Sequence, residues 1–250
     1  MKFLCLPGGY CNAKNQTFKA QLGPFTDSLA SDGKTTFHYT QGDILMENPV
    51  VDWDGFFGPP PNYTFVEINL MATAFNIRDF PKRETPEETM RLVVELLDDP
   101  RPTNIRSLMD RLVGILDSEG DIDGVIGYSE GAVVATSLLL EEARRQREYG
   151  RTPRIKFAVL ICGWPPIDPV TGQTILADEF DEVVITVPTC HVVGAQDPFL
   201  DAGMALYNFW DPDQAEIFDH GGGHVIPRDA KTCQEITEVI RSLMRSVEDH

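Results

Sequence analysis

The sequence has no long hydrophobic run. Nothing in it approaches the roughly 18 to 20 consecutive apolar residues that a membrane-spanning helix needs. The apolar opening Met1 to Pro7 is too short for a secretory signal, and the final Val-Glu-Asp-His matches no retention or lipidation signal. Positive charge is also scarce: 21 Lys and Arg stand against 39 Asp and Glu, a net charge of −18 at pH 7. Such a field repels a phosphate backbone and anionic lipid, so neither nucleic acid nor membrane is an expected partner. Cysteine is sparse and odd in number: Cys5, Cys11, Cys162, Cys190 and Cys233, with no C-x-x-C. That argues against a disulfide framework or a zinc ribbon, and a reducing cytoplasmic location is the expectation. What the chain does have is 250 residues, 42% of them hydrophobic and 24% charged, enough for a large core and too apolar for wholesale disorder.

Strand-like and helix-like segments alternate. Lys2 to Leu6 reads as a short buried strand. Phe18, Leu22, Phe25 and Leu29 then recur at helical spacing, and 35–40 is rich in β-branched and aromatic residues. Helical periodicity covers 87–97 and runs on through Leu116; 123–128 is a strand and 130–149 a strong helix. Strands are expected at 156–162 and 183–193, a helix at 198–210, a last strand at 215–218 and a closing helix at 229–247. This rhythm predicts an α/β fold, a mostly parallel central sheet with helices on both faces, in one domain spanning 1–250. Residues 47–86 interrupt it with Pro59, Pro60 and Pro61 and many aromatics. They read as an irregular insertion, either a lid or pocket wall or a loop packed on the core. In such sheets ligands bind at the carboxyl ends of the strands, so chemistry is expected just after each one.

After the strand ending near Ile126 comes Gly127-Tyr128-Ser129-Glu130-Gly131, and then a helix. This is G-x-S-x-G in the strand–turn–helix setting that lifts a serine hydroxyl above the sheet. Ser129 is therefore the candidate nucleophile, with the Glu130 N–H at the helix start as a candidate oxyanion donor. A serine needs a base and an acid to orient that base, in the chain order serine, acid, histidine. His224 is the favoured base, in the run Asp219-His220-Gly221-Gly222-Gly223-His224, read as a flexible loop after the last strand. His220 is the rival, His191 falls inside an apolar strand and reads as core, and His250 is terminal. A metal reading of His220 and His224 is poor, because glycines replace the helix that would align the rings. The favoured acid is Asp197 in Gly194-Ala195-Gln196-Asp197-Pro198, over Asp201; it also suits a helix cap. The loop Pro7-Gly8-Gly9-Tyr10 offers the Tyr10 N–H as second oxyanion donor. Trp53, Phe56, Phe57 and Trp164 are candidate substrate-binding walls, and no metal or organic cofactor is required. Arg144, Arg145, Arg147, Arg151, Arg154 and Lys156 crowd one stretch, as a docking patch for an acidic partner or as a solvated helix end.

These motifs resemble the fungal and yeast family of serine hydrolases, small α/β-hydrolases. The similarity spans nearly the whole chain and includes Leu6-Pro7-Gly8-Gly9-Tyr10, Gly127 to Ala132, Ile161-Cys162-Gly163-Trp164, Gly194 to Pro198 and Gly222-Gly223-His224. Members usually carry His-Gly-Tyr where this chain has Gly8-Gly9-Tyr10; a backbone donor survives that change, a side-chain role does not. Glu130 in place of the more usual glutamine is similar to members encoded with fungal polyketide synthases. The resemblance implies either hydrolysis of an acyl thioester held by an acyl carrier protein or a carboxylesterase of small esters. Acyl transfer to another acceptor shares the same acyl-serine, and a non-catalytic ligand binder on this fold is the alternative of another class.

Overall fold

A computed structural model describes residues 1–11, 17–31, 33–46, 60–67, 80–97, 101–180 and 185–248, with side chains up to residue 245. Its elements are β1 (Lys2–Leu6), α1 (Thr17–Ala30), β2 (Thr36–Tyr39), β3 (Ile44–Met46), β4 (Asn62–Thr64), α2 (Pro86–Leu96), α3 (Ile105–Glu119), β5 (Ile122–Tyr128), α4 (Glu130–Tyr149), β6 (Phe157–Ile161), β7 (Thr189–Val193), α5 (Leu200–Tyr207), β8 (Ala215–Asp219) and α6 (Ala230–Glu248). Six strands form one sheet in the order β2-β1-β5-β6-β7-β8, and every pairing in it is parallel.

Alternation along the strands divides the core into two layers. Leu4, Leu6, Val125, Ala158 and Leu160 point to one face, where Leu112 and Leu116 of α3 and Ala135 and Leu138 of α4 cover them. Phe3, Cys5, Ile126, Val159 and Ile161 point to the other, under Phe18, Leu22 and Phe25 of α1 and Ile236 and Ile240 of α6. The expected fold class is the observed one: a parallel sheet with a helix layer on each face.

Local chemistry sets the boundaries. Thr85 caps α2, its side chain accepting the Glu88 N–H at 3.1 Å, with Pro86 next in the chain. The helical pattern expected from 87 to Leu116 is divided into α2 and α3, and α3 stops at Gly120, which takes the left-handed φ of 70°. Of the strand expected over 183–193, residues 183 and 184 lie outside the described residues; in the rest, β7 begins at Thr189, after Pro188, which has no N–H for a ladder, and Ile185 makes only an isolated bridge with Trp210. The helix expected over 198–210 narrows to α5, Leu200–Tyr207.

Of the interrupting segment 47–86, residues 47–59 and 68–79 lie outside the described residues, and Trp53, Phe56 and Phe57 with them. The described part was not foreseen as a strand: β4 pairs antiparallel with β3, Ile44 opposite Thr64. Phe65 and Val66, which follow, are buried in the core.

Candidate active site

β5 delivers Ser129 at φ 52° and ψ −117°, a conformation that costs a non-glycine residue on the order of 1–3 kcal/mol. The surroundings enforce it. The Ser129 N–H donates to Ile161 O at the end of β6 (2.9 Å), and Ser129 O accepts from Ala132 N (2.9 Å) as α4 begins. The flanking glycines are required for close approach: a Cβ on Gly127 would lie 2.4 Å from Gly131 O, and one on Gly131 2.1 Å from Leu6 O. Backbone atoms of β1 cannot yield, so Gly131→Ala is expected to cost at least about 2 kcal/mol in urea unfolding. Gly114→Ala, on an exposed face of α3 with nothing within 4 Å of the new Cβ, should be neutral or slightly stabilising.

Two loops meet the serine from the far side. His224 Nε2 lies 2.9 Å from Ser129 Oγ, and His224 Nδ1 lies 2.8 Å from Asp197 Oδ2. Asp197 is buried, and its other oxygen accepts the Phe199 N–H at 2.8 Å. Asp197 thus fixes the turn into α5 while facing the imidazole; the helix cap expected of it is Phe199 instead. The glycine-rich run before His224 is a close-packed joint, not the flexible loop expected from its composition. Gln196 N donates to Gly222 O (2.9 Å), Gln196 Nε2 to Gly221 O (2.8 Å), and Asp219 Oδ1 accepts both Ala195 N and Gly221 N at 2.8 Å. A Cβ on Gly194 would sit 2.3 Å from Gly222 O, so glycine lets the acid loop and the histidine loop touch. Tyr128 adds a third tether, donating its hydroxyl to His224 O at 2.9 Å.

The rival residues lie elsewhere. His220 turns back on its own loop, Nδ1 accepting the Gly222 N–H at 3.2 Å, and burial lowers its pKa. Asp201 faces Thr89, whose hydroxyl lies 3.4 Å away. His191 is core as expected, 1% exposed on β7 between Tyr207 and Trp210, and burial pushes its pKa down to about 3.

Sequence reasoning missed two neighbours of the site. Phe199 stands edge-on to His224, ring centroids 5.2 Å apart, and packs with Phe80 (5.1 Å) and Trp164 (5.2 Å). Of the four expected wall residues, Trp164 is therefore placed in an aromatic cluster beside the imidazole. Cys162, just after β6, takes a left-handed φ of 48°, and its thiol groups with Asp197 and His224, one ligand-type atom from each within 4.8 Å of the others. Burial and the Asp197 charge push the thiol up, so it is held protonated. Among the described residues this is the one such metal-type cluster, and its carboxylate and imidazole already spend those atoms on each other. A residue just after a strand, in front of Gly163, was the available signal for Cys162; nothing local marks Phe199.

Tyr10 follows β1 at a left-handed φ of 58°. Glu130 is the first residue of α4, so helix geometry leaves its N–H without an intrahelical acceptor. The Glu130 side chain turns away, accepting from the Thr64 hydroxyl, Phe65 N (3.1 Å) and Val66 N (3.1 Å). Burial raises its pKa against those hydrogen bonds, which favour the charged form. The arginine-rich stretch is largely spent on internal pairs: Arg144 and Arg145 with Glu141, Arg151 and Arg154 with Asp117. Arg144, Arg145 and Arg106 together hold the Glu141 carboxyl down at about 2 despite its burial. No helix among the described residues is long and apolar enough to cross a membrane.

Comparisons with known proteins give the family and the fold. Residues 1–236 match the family described as serine hydrolase (FSH1). The chain is 31% identical over 247 residues to esterase FUS5 of Gibberella fujikuroi, covering 98% of this chain and 88% of that protein. It is 26% identical over 282 residues to esterase tropF of Talaromyces stipitatus, covering 98% and 83%. Among solved structures it resembles esterase PE8, with a TM-score of 0.56 at 16% identity over 97% of this chain and 92% of that one. The chain belongs to the FSH1 serine hydrolase family and is an enzyme of the α/β-hydrolase fold.

Proposed function

We propose that this hydrolase acts through an acyl-Ser129 intermediate and that its substrate is an acyl thioester, a polyketide or fatty acyl chain carried by an acyl carrier protein. The observation behind the first part is the relay of 2.9 Å and 2.8 Å from Ser129 Oγ through His224 to Asp197 on a strained elbow. His224 Nε2 takes the Ser129 proton as Oγ attacks the acyl carbonyl, and Asp197 stabilises the imidazolium. The N–H groups of Tyr10 and Glu130 receive the oxyanion. Collapse breaks the bond to sulfur, and His224 returns the proton to the leaving thiol. Water then attacks the acyl-serine, giving its proton to His224, and the carboxylic acid leaves as Ser129 is restored. The cluster of Trp164, Phe80 and Phe199 beside His224 suits an apolar or planar acyl chain.

A second reading, a carboxylesterase of small free esters, is favoured by the arginines of α4 and the loop after it. A carrier protein is acidic, and the stretch expected to attract it is largely neutralised by Glu141 and Asp117. Burst kinetics with aryl esters and acyl-N-acetylcysteamine thioesters of several chain lengths separate the two. An acyl adduct on Ser129 by mass spectrometry, with thioesters turned over faster, is the expected result. Faster turnover of esters assigns the carboxylesterase, and a folded protein with neither adduct nor turnover points to a substrate narrower than any in the panel or to the non-catalytic binder.

A further inference from the structure

The two oxyanion donors come from segments far apart in sequence, and one short strap is hydrogen-bonded to both. On one side, Cys11 and Tyr63 exchange backbone hydrogen bonds, each N–H donating to the other's carbonyl at 3.1 Å, directly after Tyr10. On the other side, Thr64, Phe65 and Val66 donate to the Glu130 carboxylate. The strap is itself fixed. Phe65 and Val66 are 1% and 3% exposed, Asn104 Nδ2 donates to Phe65 O at 2.6 Å, and β4 is paired with β3. At Gly42 the packing is so close that a Cβ would fall 1.8 Å from Thr64 O. The Glu130 carboxylate also borders the donor loop: a Cβ on Gly9 would lie 3.3 Å from Glu130 Oε2 and 3.6 Å from Thr64 Oγ1.

We infer that residues 63–66 form a brace that sets the spacing of the oxyanion hole, and that the Glu130 side chain is the positioning residue coupling the brace to the nucleophile elbow. The parallel pairing of β1 with β5, Leu6 opposite Gly127, brings the Tyr10 and Glu130 segments alongside each other. Pairing alone leaves the loops beyond the strand ends free by fractions of an ångström. Oxyanion stabilisation needs donors within about 2.7–3.1 Å of an atom that becomes charged only in the transition state, so small displacements are costly. A rigid brace gripping both donors removes that freedom. Alanine at 130 keeps the helix and the backbone donor but leaves the Phe65 and Val66 N–H groups without their acceptor. Glutamine keeps a carbonyl oxygen for those two N–H groups. Thr64→Val loosens the same joint from the strap side, with Glu130 intact.

This inference rests on the proposed acyl-serine reading, and the test separates the two. Wild type, Ser129→Ala, Glu130→Ala, Glu130→Gln and Thr64→Val are compared for kcat and KM on an aryl ester. Each is also measured for affinity toward a trifluoromethyl ketone, whose serine adduct carries an oxyanion, with thermal unfolding as the check on folding. The expected result is a fall in kcat of roughly 10- to 100-fold for Glu130→Ala, with KM within about threefold and ketone affinity lost by the same factor as kcat/KM. Glu130→Gln should recover most of that loss, and Thr64→Val should move both quantities in the same direction by less. Loss of kcat without loss of ketone affinity, a change confined to KM, or folded variants indistinguishable from wild type would overturn the brace. Ketone binding or turnover that persists unchanged in Ser129→Ala would instead overturn the acyl-serine reading.

Discussion

Replacing Asp197 by asparagine is expected to lower kcat on aryl esters by about 10⁴-fold with little change in KM. The reason is which nitrogen of His224 carries the proton. The carboxylate accepts two hydrogen bonds, one oxygen from Phe199 N and the other from His224 Nδ1. An asparagine amide has only one oxygen. If that oxygen keeps the Phe199 N–H, its NH₂ faces His224 and makes Nδ1 the acceptor. Nε2 then holds a proton pointed at Ser129 Oγ and cannot take the one it must remove. Aspartate also stabilises the imidazolium formed during attack, and a neutral amide does not. If the three side chains work as the proposed unit, Asp197→Asn combined with His224→Ala should be no worse than His224→Ala alone. A loss of only tens of fold, or simple additivity of the two, would remove Asp197 from the relay. The measurement is steady-state kinetics, with thermal unfolding as the check that each variant is folded.

The parts of this site that were legible in the sequence are those written within a few residues. Gly127 and Gly131 must be glycine because backbone atoms of the elbow helix and of β1 lie where a side chain would begin, and that requirement is visible as a pattern. Gly194 marks the joint of the acid and histidine loops in the same way, its Cβ position filled by Gly222 O, though composition suggests flexibility where the structure has contact. The alternation that sorts Leu4 and Leu6 from Phe3 and Cys5 is equally local. The hydrogen bonds to Glu130 were not legible, because its partners are 64 to 66 residues away, at the end of a three-residue strand and just after it, in a proline-rich stretch. Phe199 was hidden for a related reason: its neighbours Phe80 and Trp164 come from other turns of the chain, and only the fold assembles the cluster. Pro188, by contrast, was readable and carried more weight than the apolar run around it, since a missing N–H shortens a strand whatever its hydrophobicity.

Acid should unfold this protein earlier than its carboxylates alone require, and His191 is the reason. The imidazole is 1% exposed, with its ring 4.6 Å from that of Trp210 and 5.2 Å from that of Tyr207. Among the described residues its Nε2 has no hydrogen-bond partner, so nothing compensates a charge there. Burial lowers its pKa from 6.5 to about 3. The unfolded chain therefore binds a proton at this residue below pH 6.5 while the folded chain does not until near pH 3, and stability falls as pH falls through that window. The loss is about 2 kcal/mol at pH 5 and on the order of 4–5 kcal/mol once the folded form also titrates. Glu141, held at about 2 by its arginines, removes stability only below the ordinary glutamate range. Glu130 and Glu142, raised by burial, act with the opposite sign, gaining stability as they protonate. A comparison that leaves those carboxyls in place isolates the histidine. His191→Leu should be less stable than wild type by about 1 kcal/mol at pH 8, through lost ring contacts. Near pH 5 it should overtake wild type, the difference in unfolding free energy from urea titration changing by about 2 kcal/mol relative to the pH 8 comparison. Parallel stability curves for the two proteins from pH 8 to pH 4.5 would mean that His191 takes up its proton in the folded core, and the acid sensitivity would then have to come from elsewhere.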